Sequence, residues 1–115
     1  MALTREFKET VKARAARDPA FRIALLRESA ESLLAGDVET GKALLRDYIN
    51  ATIGFEALAK ATSTPAKSLM RMLSPGGNPQ SKGLFAVTEH LQEQEGLRLE
   101  VHAVKRTQRR TAGKR

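Results

Sequence analysis

Apolar residues recur at helical spacing along most of the chain, and short polar or glycine-containing breaks separate the repeats. The first repeat predicts a helix over residues 4–18, with an inner face made of Leu3, Phe7, Val11 and Ala15. Asp18 followed by Pro19 is typical of a helix start. A second helix is therefore predicted from Asp18 to just before Gly36, a residue type that commonly ends helices.

Asp37 predicts the start of a third helix, which ends near Gly54. The second and third helices both carry enough apolar residues to build a core. In the second helix these residues are Phe21, Ile23, Leu25, Leu26, Leu33 and Leu34. In the third helix they are Val38, Leu44, Leu45, Tyr48 and Ile49.

Two short helices are predicted in the middle of the chain. Residues 55–61 make about two helical turns, residues 62–64 form a polar break, and residues 65–73 form the second short helix. Thr64 is predicted to be the N-cap of this second helix, with Pro65 at its first position.

The period of the apolar pattern changes near the C-terminus. Turn-forming residues at 74–79 precede a helix over residues 81–94, whose inner stripe is predicted to be Leu84, Phe85, Thr88 and Leu91. Residues 97–104 then alternate, which predicts a half-buried β-strand with inner residues Leu97, Leu99, Val101 and Ala103. No other segment has this pattern, so the strand must pair with another molecule. The alternative is that the last helix continues or frays here.

Composition and charge indicate a small helical domain with a basic tail. The chain has 115 residues, of which 41% are hydrophobic and 4% aromatic, which suits one domain with a helical core of aliphatic residues. Residues 105–115 hold six of the 20 basic residues and none of the 13 acidic ones, so a basic tail carries most of the net charge of +7. Such a tail is typical of polyanion binding, and equally of a solvated, disordered terminus.

Several classes of protein are not expected from the sequence. The chain has no cysteine, which excludes disulfides and cysteine-based metal sites. It has no apolar run near the ~20 residues of a membrane span and no apolar signal core at its N-terminus, so a cytoplasmic protein is expected. His90 and His102 lack a nearby ligand cluster, and no serine has an identifiable base. Neither a metal, a cofactor nor an enzyme activity is therefore expected.

The two short helices and their polar break, over residues 55–74, have the pattern of a helix-turn-helix. In that motif the second helix packs one face on the domain and presents the other to base edges in the major groove. The buried face is predicted to be Leu69, Met72 and Leu73, and the small Ala59 permits close approach of the first helix. An ordinary helical hairpin has the same periodicity.

The predicted DNA contacts follow from this arrangement. The outward face of the second helix and its leading end hold Ser63, Thr64, Ala66, Lys67, Met70 and Arg71. Lys67 and Arg71 lie one turn apart, and both residue types can bond guanine or phosphate. Backbone amides at residues 81–82 can hold a phosphate with help from Gln80 and Lys82. Tail contacts with phosphates are predicted at Lys105, Arg106, Arg109 and Arg110.

Several short motifs follow one another along residues 18–104. They are Asp-Pro at 18–19, Leu-Leu-Ala-Gly-Asp at 33–37, Ala-Leu-Leu-Arg-Asp at 43–47, Leu-Ala-Lys-Ala-Thr at 58–62, Leu-Met-Arg-Met-Leu-Ser at 69–74, Gly-Asn-Pro at 77–79 and Gly-Leu-Arg-Leu-Glu-Val at 96–101. In this order they resemble the addiction-module antidote proteins, a family related to HigA-like antitoxins with a Cro/C1-type helix-turn-helix. The chain departs from the family at Ser63, where glycine is usual, and at Ala66 and Met70 on the reading helix.

The resemblance implies an all-α fold of five to six helices with a lambda-repressor-like helix-turn-helix, plus one C-terminal β-strand that pairs between molecules. It implies an antitoxin that neutralises a RelE/HigB-like toxin. It also implies a homodimer that represses its own operon on a palindromic double-stranded DNA operator. The corresponding organisation is a single domain over 1–104, with N-terminal helices 1–36, a helix-turn-helix core 37–96 and a strand 97–104, followed by a flexible basic tail 105–115.

Two other functions stay open at the level of sequence. One is a stand-alone Cro/C1-type repressor without a toxin, which a neighbouring gene of toxin size would argue against. The other is a protein-interaction module that has lost DNA binding, which Ala66 and Met70 on the outward face are compatible with. A gel shift on the gene's own upstream DNA separates this module from a DNA-binding protein.

Overall fold

The computed structural model describes residues 5–106, and within this range the chain folds into six α-helices without a β-strand. In chain order these are α1 (Arg5–Arg17), α2 (Pro19–Leu34), α3 (Val38–Ala51), α4 (Phe55–Thr62), α5 (Ala66–Met72) and α6 (Ser81–Glu95). The predicted all-α class is confirmed. None of the six has the length and apolar character that a bilayer-spanning helix needs.

The starts of α2 and α3 are capped by aspartates, as predicted. Asp18 accepts a hydrogen bond from the Phe21 N–H at 3.2 Å, and Asp37 accepts one from the Thr40 N–H at 3.3 Å. The bond from Phe21 lowers the pKa of the Asp18 carboxyl. Between the two helices Gly36 has a φ of 89°, the left-handed conformation in which glycine commonly follows a helix end.

The hydrophobic core lies between α2, α3, α4, α5 and α6. Its buried side chains are Leu26, Leu45, Tyr48, Ile49, Leu58, Leu69, Leu73, Val87 and Leu91. Helix α1 packs on α2 and α3, and its Ala15 is fully buried. Helices α2 and α3 approach closely at Gly41, where a Cβ atom would lie 2.6 Å from the side chain of Leu33. All the helices that the sequence assigns to function therefore rest on one core.

Four apolar residues predicted to face inward from the helices are exposed instead. Phe7 is 51% exposed, Leu34 71%, Val38 41% and Phe85 65%. Leu34 and Val38 flank the turn between α2 and α3, at the ends of their helices, and Phe7 lies in the N-terminal half of α1. In α6 the buried residues are Val87 and Leu91, of which Leu91 was predicted, and a residue two positions before Val87 points to the opposite side of the helix.

A partly buried polar cluster joins α2, α3 and α6. Glu95 accepts a hydrogen bond from Arg22 Nε at 3.0 Å and another from the Tyr48 hydroxyl. Arg22 also donates to the Ala15 carbonyl at 2.6 Å, which ties α1 to the cluster. Burial, together with the hydrogen bond to Glu95, raises the pKa of the Tyr48 phenol, so this hydroxyl remains a donor at ordinary pH.

The segment predicted as a strand, residues 97–104, has no strand structure in this chain. Gly96 ends α6 with a φ of 72°, so the alternative in which the helix continues is wrong. The Leu99 N–H donates to the Gln92 side chain at 2.8 Å. Of the four predicted inner residues, the first two pack on the core and the last two are exposed, in the order Leu97, Leu99, Val101 and Ala103. A single chain offers no neighbouring strand here, so pairing with another molecule stays a prediction.

Candidate nucleic-acid interface

Helices α4 and α5 lie at the two positions predicted for short helices, and each turns one face to the core. Leu58 of α4 is fully buried, with Phe55 and Ala59 packed beside it. Leu69 and the residue after α5, Leu73, are buried as predicted, and Met72 packs partly against them. Burial of a leucine contributes about 1.5–3 kcal/mol, so both helices are anchored by their inner faces.

Residues 63–65 connect α4 to α5, and the first of them has an uncommon backbone conformation. Ser63 has φ 54° and ψ 37°, and it is the one non-glycine residue with positive φ among residues 5–106. The Thr64 N–H donates to the Ala59 carbonyl at 3.1 Å. This bond closes the end of α4 and starts the change of direction toward α5. The left-handed conformation costs a non-glycine residue about 1–2 kcal/mol.

Thr64 is not the N-cap of α5, contrary to the prediction. Its hydroxyl donates backward to the Thr62 carbonyl at 3.2 Å, and Pro65 occupies the capping position with φ −58° and ψ 142°. The Pro65 carbonyl accepts the first hydrogen bonds of α5, from the N–H groups of Ser68 and Leu69. Proline has no N–H to satisfy, so it is well suited to a helix start. No side chain caps the first turn of α5.

The solvent-facing side of α5 and its leading end carry the predicted DNA contacts, Ser63, Thr64, Ala66, Lys67, Met70 and Arg71. Lys67 and Arg71 are exposed one turn apart, and Met70 beside them is 45% exposed. Thr64 and Ala66 are half-buried. The sequence from Ser63 through α5 contains no acidic residue. This face therefore combines two cationic side chains with one accessible apolar side chain.

A buried lysine of α3 holds the loop that follows α5. The Lys42 side chain is fully buried, and its Nζ donates to the carbonyls of Ser74 at 2.9 Å and Gly77 at 2.7 Å. Its charge is paired with the exposed carboxylate of Glu39 at 2.9 Å. The hydrogen bond from Lys42 lowers the pKa of Glu39, which also accepts from the Gly76 N–H at 3.4 Å.

Two further contacts fix the C-terminal end of α5. Arg46, one turn after Lys42 on α3, donates to the Leu73 carbonyl. Gly77 passes so close to α5 that a Cβ atom there would lie 2.3 Å from the carbonyl oxygen of Arg71. Glycine alone lacks that atom, so it permits this approach. The backbone carrying Arg71 is thus held in place from the core side.

Sequence reasoning missed the positioning roles of Lys42 and Arg46. A signal for Lys42 was present, because it lies three residues before Leu45, on the face that α3 buries. A lysine at such a position needs acceptors, and loops rich in turn residues supply free carbonyls. The spacing along α3 does not say which loop supplies them.

The start of α6 adjoins this loop. Gln80 occupies the N-cap position without a side-chain hydrogen bond to the helix, and Ser81 and Lys82 are exposed. No side chain therefore caps the first amides of α6. A phosphate contact at this helix start requires amides that are free in this way.

The predicted tail contacts lie only partly within the described residues. Lys105 and Arg106 are exposed at the end of the range, whereas Arg109 and Arg110 fall outside it. Between residues 5 and 106, no three histidine or carboxylate side chains converge as metal ligands.

Comparison with known proteins assigns no family to the chain. Neither a family model, nor a curated protein, nor a solved structure matches it. The resemblance to addiction-module antidote proteins accordingly stays a prediction.

Proposed function

We propose that the chain is a sequence-specific double-stranded DNA-binding protein in which α4 and α5 act as a helix-turn-helix. The observation that carries this proposal is the division of α5 into two faces. Leu69 is buried in the core, while Lys67 and Arg71 stand exposed on one side. A short helix with one anchored face and one cationic face, preceded by another short helix, suits insertion into the major groove.

The exposed side chains have roles that follow from base chemistry. Arg71 donates two parallel hydrogen bonds to O6 and N7 of a guanine, the commonest specific contact in the major groove. Lys67 reaches a guanine or the neighbouring phosphate. Met70 contacts a thymine methyl group, which is the apolar feature of that groove. Ser63 and Thr64 contact the DNA backbone at the leading end of the helix.

Phosphate contacts come from the start of α6 and from the tail. The start of α6 has no side-chain cap, and Gln80 lies at its N-cap position. Uncapped amides at a positive helix end favour an anion. Lys105 and Arg106 add exposed positive charge, whose contribution to affinity falls as the salt concentration rises.

We further propose that the protein is a homodimeric antitoxin, which binds a RelE/HigB-like toxin and represses its own operon. Support for the toxin comes from the resemblance in sequence alone. Support for a partner comes also from residues 100–106, which are exposed and form no strand in this chain. A dimer on a palindromic operator presents its two reading helices about 34 Å apart, one turn of DNA.

Footprinting of the gene's own upstream region, together with co-purification of the adjacent gene product, tests the proposal. We expect protection of an inverted repeat with half-sites about one DNA turn apart, and a stable complex with a small neighbouring protein. Protection without such a complex indicates a stand-alone repressor. Equal binding to every sequence contradicts base reading, and no binding at all leaves a protein-interaction module.

A further inference from the structure

The outer face of α6, made of Lys82, Phe85, Ala86 and Glu89, lies opposite the face that α6 buries. All four residues are exposed, and Phe85 exposes 65% of its surface. Together with Thr88 and Gln92 they line an open depression of about 590 Å³. Burying such an exposed phenyl ring against a partner removes apolar surface from water, which favours association.

The positions of the four residues on this outer face are symmetric about its midpoint, and oppositely charged side chains stand at its two ends. Lys82 and Glu89 stand at the two ends, equally far from a point midway between Phe85 and Ala86. In a two-fold dimer, each contact between a residue of one copy and a residue of the other occurs twice. Two α6 helices packed antiparallel about this point bring Lys82 of each copy opposite Glu89 of the other. They also bring the large Phe85 against the small Ala86.

We infer that a second copy of this chain docks on the outer face of α6 with the two helices antiparallel. The inference rests on the homodimer of the proposed function and places the dimer interface, called the seam below, on this face of α6. Charge selects the direction, because a parallel two-fold pair would set Lys82 against Lys82 and Glu89 against Glu89. Lys82 then serves the second copy rather than a DNA phosphate.

The C-terminal segment enlarges this surface. One pair of helices buries less than the ~800 Å² per partner that is typical of a stable interface. Gln92, which borders the depression, accepts the Leu99 N–H at 2.8 Å and so keeps Leu99 beside α6. Farther along, Val101 and Val104 are 78% and 84% exposed. Their burial against the second copy supplies apolar area that α6 alone lacks.

A charge swap tests the docking by sedimentation of the full chain without DNA. Lys82→Glu and Glu89→Lys each place like charges opposite one another, so each should weaken dimerisation about tenfold. The double variant restores both pairs and should return to within about threefold of wild type. Phe85→Ser should weaken the dimer about thirtyfold, as expected for a central aromatic anchor. Lys12→Glu, an exposed charge reversal on α1, is the matched control.

The outcomes separate this seam from the rest of the function. Rescue by the double variant supports antiparallel docking, because loss of a phosphate contact at Lys82 could not be repaired by Glu89→Lys. Single variants that dimerise like wild type, or a double variant as weak as the singles, overturn it. A wild-type chain that is monomeric at about 100 μM overturns the seam and the proposed homodimer together. A gel shift on the same samples reports DNA binding independently of all three results.

Discussion

Replacing Lys42 by methionine tests whether this buried lysine holds the loop after α5. Methionine keeps an unbranched apolar stem of similar length, so most of the packing around α3 is preserved. The ammonium group is lost, and the carbonyls of Ser74 and Gly77 lose donors that lie 2.9 Å and 2.7 Å away. Glu39 loses its cation too, but its side chain is 61% exposed and returns to water.

The magnitude follows from the two carbonyls. A buried acceptor that loses its partner costs about 1–3 kcal/mol, which would make about 2–6 kcal/mol for both. Ser74 and Gly77 are half-buried, so water restores part of this bonding. The variant also no longer pays for desolvating an ammonium group. We therefore expect the free energy of unfolding to fall by about 2–4 kcal/mol, which lowers Tm by roughly 10–20 °C.

Urea unfolding followed by helical circular dichroism measures this loss. Lys12→Met removes an exposed lysine from α1 and is the matched control, for which we expect a change within about 0.5 kcal/mol. At temperatures where the Lys42→Met variant is still folded, its binding to operator DNA should weaken more than its binding to random DNA. A Lys42→Met variant within about 0.5 kcal/mol of wild type would refute the assigned role of the lysine.

Three further predictions concern the turn, the loop and the response to acid. Ser63→Gly removes the strain of a non-glycine residue at positive φ, although glycine also has more freedom in the unfolded chain. Stability should therefore rise by about 0.5–1 kcal/mol, and a fall in the urea midpoint contradicts the turn geometry. Gly77→Ala forces a Cβ atom against the Arg71 carbonyl and should cost about 1–3 kcal/mol, whereas wild-type stability would show that the loop has room. Asp18 and Glu39 have lowered pKa values in the folded chain, so the stability they add is present above their unfolded pKa of about 4 and is lost as pH falls through the folded values. Replacing both carboxyls by amides should reduce the loss of stability as pH falls below about 4, and an unchanged pH dependence refutes their contribution.

Local chemistry explains which elements the sequence predicted well. An aspartate before a helix and a glycine after one act through their immediate neighbours, so Asp18, Gly36 and Asp37 were correctly interpreted. The side chains that α5 buries and exposes follow from helical spacing and were predicted for the same reason. The N-cap prediction for Thr64 is wrong because a threonine hydroxyl can either accept from the helix that follows or donate to a carbonyl before it, and this one donates to the Thr62 carbonyl of α4.

The remaining features depend on contacts between distant parts of the chain. Lys42 bonds carbonyls 32 and 35 residues away, so no local window contains both partners. The face that α6 buries also could not be predicted from the sequence. Phe85 and Val87 are both apolar, and only the shape of the core decides which of them is buried. The predicted strand over residues 97–104 is not formed in the single chain, and its pairing with a second molecule stays a prediction.

The central claim, that α5 reads DNA sequence through Arg71, is tested most directly by fluorescence anisotropy. Wild type, Arg71→Ala and the exposed control Arg27→Ala are titrated, at one salt concentration, into the gene's own upstream duplex and a scrambled duplex of equal composition. We predict that wild type prefers the upstream duplex by about a thousandfold or more. Arg71→Ala should lose about 1–3 kcal/mol on that duplex and little on the scrambled one, while Arg27→Ala behaves as wild type. Equal wild-type affinity for both duplexes, or an Arg71→Ala loss that is the same on both, would contradict the claim.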